Sequence, residues 1–164
     1  MIYIAVMFGV ILIGLLIYSL NDYTQVKRRS ISFKESLDLT GLPIVTFENN
    51  GHKFNFMLDT GAIESLINKD ALKDMTYTPL PIQVNVFGVD GIDHKAMLCK
   101  SNLTYKNQNY ECEFLMHDMS AALTSLKNQF GVTVHGIIGS KFFSKYKYIL
   151  DFDELIAYSS KNIK

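Results

Sequence analysis

The chain has too few cysteines to be held together by disulfide bonds. Its 164 residues contain two, Cys99 and Cys112, whereas small disulfide-stabilised domains carry several pairs. Neither these cysteines nor the four histidines are spaced as metal ligands. Cys112 and His117 do not suit a nucleophile and its base, because on one strand they would point to opposite faces. We expect two reduced, mostly buried thiols, no metal and no cofactor, although the two cysteines could pair if the domain were exported.

The sequence also lacks a net charge. Lys and Arg together number 16, and so do Asp and Glu. Long-range attraction to a polyanion is therefore missing, and we expect no nucleic-acid partner. The local excess of positive charge is a single cluster of Lys27, Arg28 and Arg29.

Charged side chains are missing from the run between Ile2 and Leu20. At 1.5 Å per residue a helix over this run reaches about 28 Å, close to the thickness of the hydrocarbon core of a bilayer. A cleaved signal peptide would begin with basic residues and end in small ones, and this run does neither. The sequence predicts a single-pass transmembrane helix over residues 1–20. The basic cluster just beyond it favours a cytoplasmic position for the rest of the chain.

Residues 21–40 follow the predicted anchor and are polar, mixed in charge and without periodicity. We interpret them as a juxtamembrane linker with little fixed structure. The remaining residues, 41–164, suffice for one domain with a modest core.

The domain is predicted to open with a β-hairpin that ends on an acid. Strands over residues 43–47 and 53–58 flank the turn sequence Asn49-Asn50-Gly51. Apolar side chains alternate along the second strand, and the next residue is Asp59. A carboxylate is rarely buried without partners, so an apolar strand that delivers one into a Thr-Gly turn indicates a catalytic acid. The alternative is an ordinary turn that the acid only caps.

Short strands predominate in the rest of the domain. They are predicted over residues 65–67, 82–87, 94–105, 110–116 and 132–138, with a terminal hairpin over 148–152 and 155–158. Pro79 and Pro81 are expected to break the chain before residue 82. One helix is predicted over residues 118–129 and a short one over 140–146, and His135 is expected to serve local structure. The residues expected on the buried side of the longer helix are Met119, Ala122, Leu123, Leu126 and Phe130.

The elements together predict an all-β fold. Seven or so strands with one or two short helices argue for a small closed β-barrel rather than an α/β sheet. The strands over 82–87 and 94–105 form a long hairpin with a glycine-bearing tip, which by itself could be a plain surface hairpin.

Two segments in this order resemble the hallmarks of the retropepsin-like aspartic proteases. The first is an apolar strand that leads into Asp59-Thr60-Gly61-Ala62, and the second is Gly136-Ile137-Ile138-Gly139. The resemblance covers about Leu42 to Ser159. It implies a retropepsin-like β-barrel in which the long hairpin is a flap that closes over substrate.

The resemblance also implies roles for individual residues. Asp59 is the catalytic residue, and its supports are Thr60, Gly61, Ala62, Ile137, Ile138 and Gly139, the last three packing behind the Asp59 loop. The flap and substrate-binding residues are Phe87, Gly88, Val89, Asp90 and Gly91. Two departures from the family pattern stand out, since Ser140 occupies a position where retroviral enzymes usually carry Arg and the flap tip carries the acid Asp90.

One carboxylate is not sufficient for the reaction, because peptide hydrolysis by this route needs a base for the water and an acid for the leaving group. Two carboxylates within hydrogen-bond reach share a proton and supply both. The chain has one Asp-Thr-Gly, so the partner must come from a second copy in a twofold-symmetric homodimer. The sequence thus predicts a membrane-anchored aspartic endopeptidase that cleaves peptide or protein substrates.

Two other interpretations stay open. A retropepsin-like module could dimerise and bind peptides without cutting them, because a fold does not determine a function. A membrane-tethered structural β-domain could carry the motif by coincidence. The intact Asp-Thr-Gly favours the enzyme, because a module without catalysis has no chemical need for the acid.

Overall fold

The computed structural model describes Ile13, residues 30–87 and residues 93–160. In these residues it contains nine strands: β1 (Ile44–Asn49), β2 (His52–Leu58), β3 (Ser65–Asn68), β4 (Thr78–Phe87), β5 (Asp93–Tyr105), β6 (Gln108–His117), β7 (Gly136–Ile138), β8 (Tyr148–Asp151) and β9 (Ile156–Ser159). The helices are α1 (Phe33–Thr40), α2 (Ser120–Phe130) and α3 (Ser140–Tyr146), with a 3-10 helix at Lys69–Lys73.

Six strands close into a barrel in the order β1, β2, β7, β3, β6 and β5. The closing pair joins Glu48 of β1 to Thr104 of β5. Strand β4 pairs with the other end of β5, and β8 and β9 form a separate two-stranded sheet. The prediction of a closed β-barrel is confirmed, but the described residues hold three short α-helices rather than one or two.

The barrel interior is filled with aromatic side chains from alternating strand positions. Phe47, Phe54, Phe56 and Phe114 are at most 2% exposed, and Phe56 stacks on Phe114 with ring centroids 5.4 Å apart. This packing follows from the period of two along a strand, which turns alternate side chains inward. The barrel is therefore a packed core rather than a ligand cavity.

Both cysteines contribute to this interior. Cys99 and Cys112 are free and buried, as the sequence predicts. Burial raises the pKa of the Cys99 thiol to about 11 and that of Cys112 to about 12, because the thiolate loses its hydration. Both groups therefore stay protonated and unreactive at neutral pH.

The prediction of little fixed structure for residues 21–40 is wrong for residues 31–40. Ile31 and Phe33 are buried, and Thr46 donates from its backbone N–H to the Ile31 carbonyl at 3.1 Å. Helix α1 is capped by the Ser32 hydroxyl, which accepts from the Glu35 N–H at 3.2 Å. The segment is short, and charged residues interleave with its apolar ones, so the sequence pattern did not reveal the buried side.

The two prolines do not break the chain as predicted, because Pro79 and Pro81 lie inside β4. Strand β4 pairs only with β5 among the described strands, so on its outer edge a missing N–H costs no ladder hydrogen bond. The pairing register shifts between Pro79 and Gln83.

Two further expectations need correction. The strand predicted over residues 132–138 is limited to Gly136–Ile138, because the preceding residues bond to Asn55 outside the regular ladder. On α2 only Leu123 is buried, and Ala122 is exposed. The helix lies on the outside of the barrel, so its apolar stripe is covered over a narrower width than expected.

Several predictions fall outside the described residues. The transmembrane helix over residues 1–20 does so except at Ile13, as do Gly88, Val89, Asp90 and Gly91 at the hairpin tip. Where the structure does describe helices, none of them is long and apolar enough to cross a bilayer.

Candidate active site

Asp59 lies at the carboxyl end of β2, where two strands run side by side. Strands β2 and β7 pair in parallel, with Leu58 opposite Ile138. The backbone N–H of Asp59 donates to the Ile138 carbonyl at 2.9 Å. Because parallel strands end at the same edge of a sheet, the acid and the segment after Ile138 meet there.

The turn after Asp59 closes on the acid itself. The Gly61 N–H donates to Asp59 Oδ1 at 2.8 Å, which fixes one carboxylate oxygen. A Cβ at Gly61 would lie 3.2 Å from the same oxygen, so a side chain there would crowd the carboxylate. Thr60 and Gly61 are exposed, and Asp59 and Ala62 are half-buried.

Gly139 packs directly against the backbone that follows this turn. A Cβ at Gly139 would lie 2.4 Å from the Glu64 carbonyl oxygen and 2.9 Å from that of Ile63. Its N–H donates to the buried Ser65 hydroxyl at 3.0 Å. Gly139 therefore permits an approach of two backbones that no other residue would allow.

Helix α3 begins at this contact and holds the loop from the other side. Its first two free N–H groups, those of Ser140 and Lys141, donate to the carbonyls of Ala62 and Ile63 at 2.8 and 3.2 Å. These bonds satisfy donors that the start of a helix leaves without intrahelical partners. Lys141 also forms an ion pair with Glu64.

The structure therefore brings Asp59, Gly61, Ala62, Ile138 and Gly139 into one bonded unit. Sequence reasoning missed Glu64, Ser65 and Lys141. The signal that could have found Ser65 is its position beside the motif, because a buried hydroxyl there needs a partner. The Glu64 to Lys141 pair had no local signal, since its residues are far apart in the chain.

Within the described part of the chain, the Asp59 side chain forms no ion pair and accepts a hydrogen bond from the Gly61 N–H. Asp59 lines neither of two clefts of about 220 and 200 Å³, although Glu64, Ser65 and Lys141 line the second. Next to the loop, Ile63 is 67% exposed, although an isoleucine is usually buried. Among the described residues, the half-buried acid therefore stands beside an exposed apolar side chain.

The predicted flap is placed only in part. Strands β4 and β5 form an antiparallel hairpin whose last described pair is Phe87 and Asp93. Strand β6 pairs with β5 only from Met97 onward. The outer part of the hairpin therefore extends beyond the barrel, which suits a covering arm, and the roles of Phe87 and of the tip stay predictions.

The described structure resembles solved structures of retroviral-type proteases. The structure matches the retroviral protease-like domain of Ddi1 from Leishmania major with a TM-score of 0.50 and 12% identity, over 73% of this chain and 86% of that one. It also matches the protease of EIAV in complex with the inhibitor HBY-793, at a TM-score of 0.48 and 18% identity, over 63% and 86% of the two chains. No protein-family model and no curated protein matches the sequence. By its likeness to the Ddi1 domain, this chain has a retropepsin-like fold.

Proposed function

We propose that this chain is a membrane-anchored aspartic endopeptidase that acts as a homodimer. Each subunit contributes one Asp59, and the pair activates the water that attacks the peptide bond. The single observation that carries the proposal is the braced Asp59-Thr60-Gly61 loop. Its acid is held through Ile138 and Gly61 yet stays half-exposed and without an ion-pair partner among the described residues.

The chemistry follows from placing two such acids face to face. Two carboxylates in contact do not both ionise easily, because the second negative charge is repelled by the first. The pair therefore holds one proton, so that one carboxylate accepts a proton from water while the other donates to the peptide. A braced loop suits this role, since the positions of both acids must persist through proton transfer.

The twofold arrangement is supported by what the loop leaves uncovered. Thr60 and Gly61 are exposed, and so is the apolar Ile63. A second copy of the same surface would cover these residues and bring in the second carboxylate. In this dimer Thr60 bonds across the axis to the partner's backbone, and Gly61 lets the two acids approach.

The substrate class is an extended peptide. The hairpin of β4 and β5, with Phe87 to Gly91 at its tip, covers a peptide held by strand-like hydrogen bonds and by pockets for alternate side chains. The acid Asp90 at the tip favours substrates that do not place a negative charge there.

The anchor is the helix predicted over residues 1–20, and the barrel lies on the cytoplasmic side. The basic cluster at residues 27–29 supports this side, and two free, buried thiols are compatible with a reducing compartment. A tag placed after Lys164 should be digested by protease added to inside-out vesicles and protected in right-side-out ones. The reverse pattern would refute the orientation.

The function is tested by exposing the full chain, purified in detergent, to a mixed peptide library over a range of pH. Asp59→Asn keeps the shape of the side chain and removes its charge, so we expect hydrolysis to fall at least about 100-fold. The matched control is Asp153→Asn, which changes an exposed acid in the turn between β8 and β9 and should leave cleavage unchanged. Equal cleavage by Asp59→Asn and the unmodified chain would refute the mechanism. Peptide binding without cleavage would favour the non-catalytic module.

A further inference from the structure

His135 makes an unusual link between the strand that carries Asp59 and the strand behind it. The Asn55 backbone N–H donates to the His135 ring at Nδ1, at 2.9 Å. In return the His135 N–H donates to the Asn55 carbonyl at 2.8 Å. These two bonds extend the pairing of β2 with β7 by one residue, with an imidazole nitrogen in the place of a carbonyl oxygen.

The link belongs to a connected polar network. The Asn55 amide donates to the Thr133 carbonyl at 2.8 Å and accepts from the Thr46 hydroxyl at 2.7 Å. On the opposite side, Asn68 of β3 donates from its N–H to the His135 carbonyl at 2.9 Å. The ring also lies edge-on to Phe54, with centroids 5.4 Å apart. His135 thus joins β2 and β3 at the point where β7 begins.

This position connects the histidine to Asp59. Three residues after His135, the Ile138 carbonyl accepts the Asp59 N–H. Gly136, the next residue, would place a Cβ 2.3 Å from the Leu66 carbonyl oxygen. Strand β7 therefore has little room to shift unless His135, the residue before it, moves.

The bond from Asn55 depends on the protonation of the ring. A backbone N–H keeps its proton at every ordinary pH, so Nδ1 must offer a lone pair to accept it. An imidazolium carries a proton on both ring nitrogens and has no lone pair to offer. In an unfolded chain histidine changes state near pH 6.5.

We propose that His135 is a positioning residue for the Asp59 loop and that it holds β7 in place only as the neutral imidazole. As the neutral imidazole, the ring accepts the Asn55 N–H and the start of β7 is fixed. At lower pH, protonation removes the acceptor and loosens the strand beneath Asp59. The effect on stability needs no catalysis, whereas the effect on activity rests on the proposed function.

The surrounding charges have to be considered, because they also respond to pH. Ionisable side chains lie on β2, on the 3-10 helix after β3, at the end of β6, and on α1 and α2. They are Lys34, Glu35, Asp38, His52, Lys53, Lys69, Asp70, Lys73, His117 and Lys127. Glu35 and His117 are half-buried and the others are exposed. Exposed charges are screened by solvent and salt. Whatever charge the half-buried Glu35 and His117 carry, a ring protonated at Nδ1 cannot accept the Asn55 N–H.

The direction of the effect follows from proton binding. A proton on Nδ1 would displace the Asn55 bond, so this bond disfavours proton uptake at His135 in the folded chain. Acid therefore favours the unfolded chain. The stabilisation is complete above about pH 6.5 and is lost as the pH falls below that.

The test measures the thermal midpoint of the full chain in detergent between pH 7.5 and pH 5, in an Asp59→Asn background that removes both self-cleavage and titration at Asp59. In His135→Asn the amide oxygen is attached to Cγ, as Nδ1 is in histidine. This oxygen can accept a hydrogen bond at every pH. We expect the His135→Asn chain to lose about 3–6 °C less than its parent over this range. The control His52→Asn removes an exposed histidine of β2, the strand that carries Asn55. Its thermal midpoint should fall as much as that of the parent chain. Identical losses in all three chains would overturn the proposal.

A second measurement applies even if His135→Asn fails to fold. The ¹⁵N chemical shifts of the His135 ring report which nitrogen is protonated, and amide hydrogen exchange reports the Asn55 bond. We expect an unprotonated Nδ1 at pH 7.5 and at least about tenfold faster Asn55 exchange, corrected for intrinsic rates, at pH 5. A protonated Nδ1 at pH 7.5, or protection of Asn55 that is unchanged at pH 5, would overturn the proposal. Neither readout requires activity, so failure of the proposed function would leave both intact.

Discussion

Single glycines allow the backbone contacts on which the Asp59 loop depends. Gly139→Ala would place a methyl group 2.4 Å from the Glu64 carbonyl oxygen, and because that oxygen belongs to the backbone it cannot turn aside. We expect the free energy of unfolding to fall by about 1–3 kcal/mol or more. Urea denaturation of the two chains measures the difference.

The matched control is Gly131→Ala. Gly131 has a positive φ of 71°, and a methyl group added there would have no atom within 4 Å, so its substitution costs only the backbone conformation, about 1–2 kcal/mol. Gly139→Ala should also lower activity disproportionately, because it displaces the loop that bears Asp59. Equal loss of activity in the two variants would show that the close approach at Gly139 does not position Asp59.

Site residues that belong to a short motif could be predicted from the sequence, and those outside a motif could not. Asp59, Gly61 and Gly139 belong to short motifs that can be read directly. Lys141 and Glu64 are common surface residues, and their pairing depends on strands β2 and β7 running in parallel. Nothing in the neighbourhood of either residue indicates that arrangement, because such pairing is non-local.

Helix α1 decides whether residues 31–40 are a linker or part of the folded domain. Phe33 is 2% exposed and lies edge-on to Phe152, with centroids 5.4 Å apart. We expect Phe33→Ala to lower the free energy of unfolding by about 3–5 kcal/mol, the usual cost of removing a buried phenyl ring. Chemical denaturation of the full chain in detergent tests this.

The control lies next to it in the helix. Lys34 is exposed and pairs with Asp38 at 2.8 Å, so Lys34→Ala should cost no more than about 0.5 kcal/mol. If Phe33→Ala were as mild as Lys34→Ala, residues 31–40 would be a linker after all. The expected result places the start of the fold at or before Ile31 rather than at residue 41.

Local elements were predicted well because short-range signals specify them. The turn at Asn50 and Gly51 has positive φ at both residues, as the Asn-Gly sequence predicts. The terminal hairpin and α3 lie where expected. The parallel pairs of β2 with β7 and of β3 with β6 could not be predicted from periodicity, which indicates a strand but not its neighbour.

The described part of the molecule is a closed barrel with the candidate site at its edge. Strands from both halves of the chain surround the aromatic core, and the Asp59 loop stands at one edge with Thr60 and Ile63 exposed. A fold that is complete in one chain thus carries half of the catalytic machinery that we propose. We propose that the second carboxylate is the Asp59 of a second copy.

The shared pair of acids is tested by a mixing experiment. The unmodified full chain is mixed with Asp59→Asn chains in detergent, under conditions that allow subunits to exchange. Both chains keep the same interface, so they should pair at random, and a heterodimer has only one working carboxylate. At equal amounts we predict about one quarter of the activity of an all-unmodified sample of the same total concentration, since only about one dimer in four has both acids. Mixing with Asp153→Asn instead should leave activity undiminished. Activity that fell only to about one half, in proportion to the unmodified chain, would mean that Asp59 works without a partner copy and would contradict the shared pair.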